Sequence, residues 1–353
     1  MSPPRQEQSF VTGRVDTRTE SVPRISSKLV WADRFGSMKA RWGIGRMHYT
    51  VDPGLYALGN PESDAPVLVT ANYKMSFDRL REALSERDAW ILVLDTKGIN
   101  VWCAAGKGTF GTEELLGRIE STGLGHIVNH RELILPQLSA PGVAAHEVHK
   151  RSGFKVVYGP IRSGDLPAFL DAGLKATPRM RKKSFGLRER MVLVPVELVG
   201  TLKWSLILLP CIVLAGGFGG EAGFWQGVRL YGLFAGTAFL CAIVAGAVLT
   251  PMLLPWLPGR AFSLKGVIMG LISTIFLVAF WPIHLNGWTD TVAVLAWVFL
   301  IPALSAYLAM NFTGASTYTS LSGVKKEMKW AIPFEIAGGA VGLCAWIISL
   351  IAT

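Results

Sequence analysis

Polar and apolar positions divide the chain into two halves of different character. In the first, short apolar runs alternate with amphipathic ones. Val67 to Tyr73 (VLVTANY) and Trp90 to Asp95 (WILVLD) read as buried strands, and Ser76 to Glu86 between them carries helical spacing. Glu113 to Ser121 resumes that spacing, and Glu132 to Leu135 and Lys155 to Tyr158 read as further short strands. Asp165 to Ala172 predicts a helix with Pro167 in its first turn. Strands alternating with helices predict a parallel, doubly wound, Rossmann-like α/β sheet, which binds ligands outside the carboxyl ends of its strands. Upstream, residues 1–44 show no clear apolar period and are expected as a mobile arm with one short helix near Leu29 to Ala40.

The second half is nearly all apolar, with long spans near 202–219, 229–250, 264–285, 291–310 and 331–351. A helix of about 20 residues, rising 1.5 Å each, crosses a hydrocarbon core of about 30 Å. The expected organisation is an arm (1–44), an α/β domain (45–178), a basic linker (179–201) and an all-α, five-helix transmembrane domain (202–353).

Composition agrees with that division: only 17% of residues are charged, against roughly 25% in soluble proteins. The net charge of +10 does not imply nucleic acid, because the run Arg179-Met180-Arg181-Lys182-Lys183 stands just before the first span. Such charges flank membrane helices on the cytoplasmic side. The Arg260/Lys265 and Lys325–Lys329 loops are also basic, whereas those around Glu221 and Asp290 are not. The α/β domain is therefore expected in the cytoplasm, the C-terminus outside, and the chain in the inner membrane. The polar N-terminus, MSPPRQEQSF, lacks the apolar core of a signal peptide. Gly246, Pro251 and Pro255 offer kinks in the second span, and the spans hold almost no ionisable residues at their centres.

Several familiar motifs fail. Ala105-Gly106-Lys107-Gly108-Thr109 resembles a phosphate loop, but Val101 stands where Walker A needs its first glycine and Gly108 where it needs Ser or Thr. Gly43-Ile44-Gly45 and Gly123-Leu124-Gly125 lack the third glycine of a dinucleotide fingerprint. His146 and His149 are too close for a zincin and read as surface helix residues. No C-x-x-C pair exists among the four cysteines, so the chain alone builds neither a zinc ribbon nor an iron–sulfur cluster.

Cys103 then stands out in NVWCAAGKGTFGT, the segment leaving the strand that ends at Asp95. A buried small residue, a nucleophile and a soft ligand are the candidate roles. Asn100 can cap a helix starting there, Trp102 is a broad flat neighbour, and Ala104, Ala105 and Gly106 remove bulk over one turn. That set suits a soft ligand held against a flat cofactor, and no histidine stands nearby to act as base for a nucleophile.

The octapeptide Asn100-Val101-Trp102-Cys103-Ala104-Ala105-Gly106-Lys107 resembles the cap-helix signature of the mercury-methylating corrinoid proteins. Pro53 to Ala57, Val69 to Tyr73 and Gly159-Pro160 belong to the shared stretch. Residues 45–175 are similar to the corrinoid domain of the corrinoid iron–sulfur protein's large subunit, and the mercury family's layout extends over nearly the whole chain. The corrinoid signature D-x-H-x-x-G is absent.

The resemblance implies a base-off, cobalamin-type corrinoid with Cys103 at the lower face of its cobalt and residues 100–107 across that face. Thr70, Asn72, Gly159 and Pro160 are implied as contacts to its tail. The implied activity is methyl transfer from methyl-cobalt(III) to Hg(II), giving methylmercury, with an electron-donating thiolate aiding departure of the methyl group. A methylated folate, acting through a methyltransferase, is the implied donor. A ferredoxin-like protein with two four-iron, four-sulfur clusters is the implied reductant and mercury donor. Two other readings stand beside this one: a membrane-bound corrinoid methyl carrier with a different acceptor, and a membrane sensor using Cys103 as a redox switch.

Overall fold

The computed structural model describes residues 3–219, 223–281, 287–315 and 321–352. These fall into two compact units, one reaching to Ser184 without residues 41–43, the other comprising 41–43 and everything from Phe185 onward.

The first unit is built on a seven-stranded sheet. Its elements are β1 (Val11–Asp16), β2 (Ser21–Ile25), α1 (Trp31–Arg41), β3 (Gly54–Leu58), β4 (Val67–Ala71), α2 (Lys74–Ala83) and β5 (Ala89–Leu94). There follow α3 (Val101–Lys107), α4 (Thr112–Ser121), α5 (Leu124–Ile127), β6 (Glu132–Leu135), α6 (Ala145–Ser152), β7 (Lys155–Tyr158) and α7 (Leu166–Asp171). β5 is apolar throughout and β4 apolar apart from Thr70, because both faces are covered. Val67, Val69 and Ala71 pack with α3 to α6 on one face, and Leu68 packs with α2 and α7 on the other.

The strand order is β1-β2-β3-β5-β4-β6-β7. The run β5-β4-β6-β7 is parallel, as expected. The rest corrects the expectation of a parallel sheet, because β3 pairs antiparallel with β5, and β1 antiparallel with β2. Only residues 59–66 connect β3 to β4, too few for the crossover that a parallel relation requires. From β4 the chain moves first to β5 and then crosses to β6 on the other side. The carboxyl ends of β4 and β6 therefore flank the switch point, where such sheets form a crevice.

Residues 1–44 are not a free arm: they supply β1, β2 and α1. A buried charge cluster fastens them. Asp33 of α1 pairs with Lys74 at 2.6 Å and with Arg81 at 2.7 Å, and Asp78 pairs with the same two cations at 2.8 Å. Arg81 also donates to the carbonyls of Ser26 and Lys28. Burial pushes the Asp33 carboxyl up, but the Lys74 ammonium, the Val30 amide and Arg81 more than offset it, leaving its pKa below the ordinary value.

Among the described residues of the second unit, five helices are long and apolar enough to cross a membrane: Leu187–Phe218, Phe224–Leu253, Phe262–Phe280, Trp288–Gly314 and Ser322–Ile351. The segment expected as linker, 179–201, is helical from Leu187 apart from a short break, with Pro195 in the first turn after it. The loop around Glu221 and the expected end of the third span, 282–285, lie outside the described residues. The second helix widens into π-helical turns at Val228–Gly232 and Val244–Leu249, the latter containing Gly246.

Candidate functional site

α3 leaves the carboxyl edge of β5 and has only seven residues, too few to hold together without tertiary support. Its ends are defined locally. The Asn100 Oδ1 accepts the Cys103 N–H at 3.0 Å, and Gly108 closes the helix in the left-handed conformation. Val101, Ala104 and Ala105 face the core, whereas Trp102, Cys103, Gly106 and Lys107 face outward. The small residues thus divide in purpose. Ala104 and Ala105 let the helix lie close to its support, and only Gly106 clears space on the outer face, where a Cβ would find no heavy atom within 4 Å.

That support is the loop after β6. α3 packs against the turn at Gln137–Ser139 and the end of β4. A Cβ on Gly142 would stand 2.9 Å from the Ala105 Cα and 2.2 Å from the Phe110 carbonyl oxygen, so the close approach requires glycine. Tyr158 and Thr112 hold the same loop, accepted by and accepting from Val143 and Ala144 respectively.

The connection from β5 into α3 is latched by a residue 23 to 26 positions earlier. The Asn72 Oδ1 accepts the amides of Thr96 and Gly98, each at 3.1 Å. The single hydroxyl proton of Thr96 can point to Asn72 at 2.9 Å or to the Ile99 carbonyl at 2.6 Å. The Asn72 Nδ2 donates to Asp95 at 3.3 Å, and the Asp95 N–H donates to Glu114 at 2.8 Å. Burial raises the Asp95 carboxyl, and its bonds with the Lys97 ammonium and amide more than compensate, for a pKa below the ordinary value. Gly98 has φ +71° and lies against the Met47 carbonyl oxygen, which a Cβ would approach to 2.7 Å.

The sequence-predicted residues therefore occupy one edge in different ways. Cys103, Trp102 and Gly106 share the outer face of α3, where Cys103 is exposed and Trp102 is 40% exposed. Asn72 is 6% exposed and committed to the loop. Thr70 is buried in β4 on the Leu68 side, the face away from α3. Gly159 and Pro160 follow β7, where the Gly159 N–H donates to the Leu135 carbonyl at 2.8 Å. From β5 to β7 the edge covers three strand spacings, about 14 Å. Thr96, Gly98, Glu114 and Gly142 escaped the sequence reading; only the turn-forming run Asp95-Thr96-Lys97-Gly98 offered a signal.

The donor set can be tested against a corrinoid. Among the described residues no group of three or more His, Cys, Asp or Glu side chains could hold a bare metal ion. A metal here would arrive with most of its ligands, as in a macrocycle. One exposed sulfur, an exposed indole at the preceding position and an open glycine one turn on suit the face of a broad planar group.

Comparison with known proteins falls on this same domain. A family profile for the CO dehydrogenase/acetyl-CoA synthase delta subunit matches residues 45–170. Over 123 residues the chain is 35% identical to the acetyl-CoA decarbonylase/synthase complex subunit gamma of Methanopyrus kandleri, and 33% identical to that of Archaeoglobus fulgidus. Those stretches are 34% of this chain and 26% of either relative. The subunit gamma of Methanothermobacter thermautotrophicus is 32% identical over 128 residues, 36% of this chain and 28% of the relative. The chain thus spans little more than a quarter of the length of these curated relatives, and the similarity lies in the α/β domain that carries α3 and its supporting loops.

Proposed function

We propose that this chain is a membrane-anchored corrinoid protein that transfers a methyl group to Hg(II), forming methylmercury, with Cys103 as the lower-face ligand of cobalt. The observation that carries the proposal is the exposed Cys103 thiol on a short capped helix at the carboxyl edge of the sheet. The similarity over residues 45–170 to subunits of an acetyl-CoA decarbonylase/synthase complex supports corrinoid methyl transfer in general. The octapeptide Asn100 to Lys107 supports mercury as the acceptor. A methyl carrier with another acceptor is the second reading, favoured by the names of those relatives.

When bound, the corrinoid supplies a cobalt-held methyl group able to pass to an electrophile. The chain's residues do the positioning. Cys103 would hold the cobalt through sulfur, a softer and more electron-donating ligand than an imidazole nitrogen. Asn100 fixes the backbone of Cys103, and the Asn72 latch fixes the approach to the helix. Trp102 presents an exposed ring from the same outer face of α3, and Gly106 keeps the next turn clear. Gly159 and Pro160 are proposed to border the corrinoid tail, whereas Thr70, buried on the opposite face of the sheet, is not. The corrinoid-binding segment is proposed at 45–178 of a sheet that also takes in β1 and β2, and the transmembrane domain at 202–353, with the α/β domain cytoplasmic and the C-terminus outside. A ferredoxin-like protein with two four-iron, four-sulfur clusters is the proposed reductant, and a methylated folate the ultimate donor.

Cys103→Ala tests the assignment. The full-length variant should bind corrinoid with a shifted absorption spectrum and form no methylmercury. Cys103→Thr should fail equally, because a hydroxyl is a poor donor to cobalt. A spectrum and activity like the wild type in either variant would overturn the role of the sulfur.

A further inference from the structure

The fifth apolar helix carries a carboxyl that nothing in the methyl-transfer site uses. Glu335 lies six residues beyond Lys329, about 9 Å further along the helix. Both of its carboxyl oxygens are buried, and neither has a hydrogen-bond partner among the described residues. Lys325, Lys326 and Lys329 are exposed at the start of that helix, and none forms an ion pair with it. A carboxyl in apolar surroundings without donor or counter-charge is costly, and inside a membrane such groups mark functional sites.

Glu335 lines a cavity of about 430 Å³ between the first, second, fourth and fifth helices, together with Trp297, Leu304, Tyr307, Gly339 and Trp346. The fourth and fifth helices run antiparallel. Gly342 approaches Leu300, Gly338 approaches Ala303, and the Trp297 and Trp346 rings meet at 5.9 Å. The same register sets Glu335 at the level of Tyr307, with the two indoles at the other end. Eleven residues separate Glu335 from Trp346, about 16 Å of helix. The cavity is long and apolar, with one acidic end beside an aromatic ring.

We infer that this cavity is a binding site for a single-chain amphiphile with a cationic amine head, its ammonium at Glu335 and Tyr307 and its tail running toward Trp297 and Trp346. The carboxylate supplies the counter-charge and the tyrosine ring a face that attracts cations. The aliphatic and indole walls match the tail. The inference rests on the membrane reading of the five helices, which is checked separately: the chain must stay with the membrane after alkaline extraction.

The test uses the intact chain in a non-ionic maltoside detergent with two probes of equal length, 10-bromodecylammonium and 10-bromodecanol. Bromine at the tail end quenches nearby indoles, so binding is read as saturable loss of tryptophan fluorescence. The ammonium should bind at least about tenfold more tightly than the alcohol, the effect of one charge-assisted contact. Glu335→Gln should abolish that preference and leave alcohol binding unchanged, which also shows that the variant is folded. Replacing Trp297 and Trp346 together by Phe should remove the saturable quenching. Equal affinities, tighter binding of the alcohol, or a preference that survives Glu335→Gln would each overturn the inference.

Discussion

Asn72→Ala isolates the latch from the ligand. The substitution removes the acceptor of two buried amides, those of Thr96 and Gly98, and one of two acceptors open to the Thr96 hydroxyl. A buried donor left unpaired costs about 1–3 kcal/mol. The hydroxyl retains the Ile99 carbonyl at 2.6 Å, so only the amides count. Two such amides sum to about 2–6 kcal/mol, and water entry into the vacated space brings the upper end down to about 4 kcal/mol. That energy acts on local opening of the loop and α3, since β4 and β5 keep their ladder. At 1.4 kcal/mol per decade, backbone amides over residues 95–108 should exchange about 30- to 700-fold faster. Hydrogen exchange read by mass spectrometry on the intact chain measures this directly, with peptides from β4 as the internal reference. Asn72→Asp keeps oxygens for both amides but sets a second carboxylate where the Nδ2 lies 3.3 Å from Asp95, so its exchange should fall between wild type and Ala. Unchanged protection over 95–108 in Asn72→Ala would refute the latch.

Gly142→Ala should push α3 off its support, because the new methyl meets the Ala105 and Phe110 backbones. Corrinoid occupancy, read from absorbance per protein, is expected to fall several-fold while β4 and β5 stay protected. The Asp33 carboxyl has a folded pKa below the ordinary value, so its contribution is present above about pH 4 and lost as pH falls through the folded value. Residues 1–44 should therefore become sensitive to limited proteolysis in that acid window. Asp33→Asn should show the same sensitivity at neutral pH, since removing one partner of a buried pair costs about 3–5 kcal/mol.

Legibility in the sequence followed burial. VLVTA and WILVL are covered on both faces, and their continuous apolar runs announced them. β1 reads VTGRVD with one side half-buried and the other exposed, so Arg14 and Asp16 disguise it within a polar region. β2 reads SVPRI, and its proline argues locally against a strand. Their attachment depends on Asp33, Lys74, Asp78 and Arg81, which look like solvated charges until the fold brings them together. Within the site, the cap at Asn100 is local and was visible, whereas the contact of Asn72 with Gly98 spans 26 positions and no spacing rule reaches it. The inward turn of Ala104 and Ala105 was missed because a run of three small residues does not say which face of a helix it lines. Glu335 was hidden by its setting, one carboxyl in a helix whose apolar composition dominates any average over its length.

The division of labour around α3 separates the roles open to Cys103. Polar groups beneath and before the helix are satisfied by the protein: Asn72, Thr96, Asp95 and Glu114 bond to one another or to the backbone. The sulfur is exposed, and the nearest polar bond, to Asn100, is made by its backbone. Position and chemistry are therefore supplied by different residues and should fail independently. Removing the sulfur should alter the spectrum of a bound corrinoid and leave exchange over 95–108 unchanged. Loosening the latch should raise exchange and lower occupancy, while the corrinoid that still binds keeps the wild-type spectrum. A redox switch predicts another pattern, in which oxidation of Cys103 changes the protection of its own helix with no corrinoid present. Measuring exchange in the colourless protein, reduced and oxidised, beside the spectrum of the loaded protein therefore separates a ligand from a sensor without reference to the methyl acceptor.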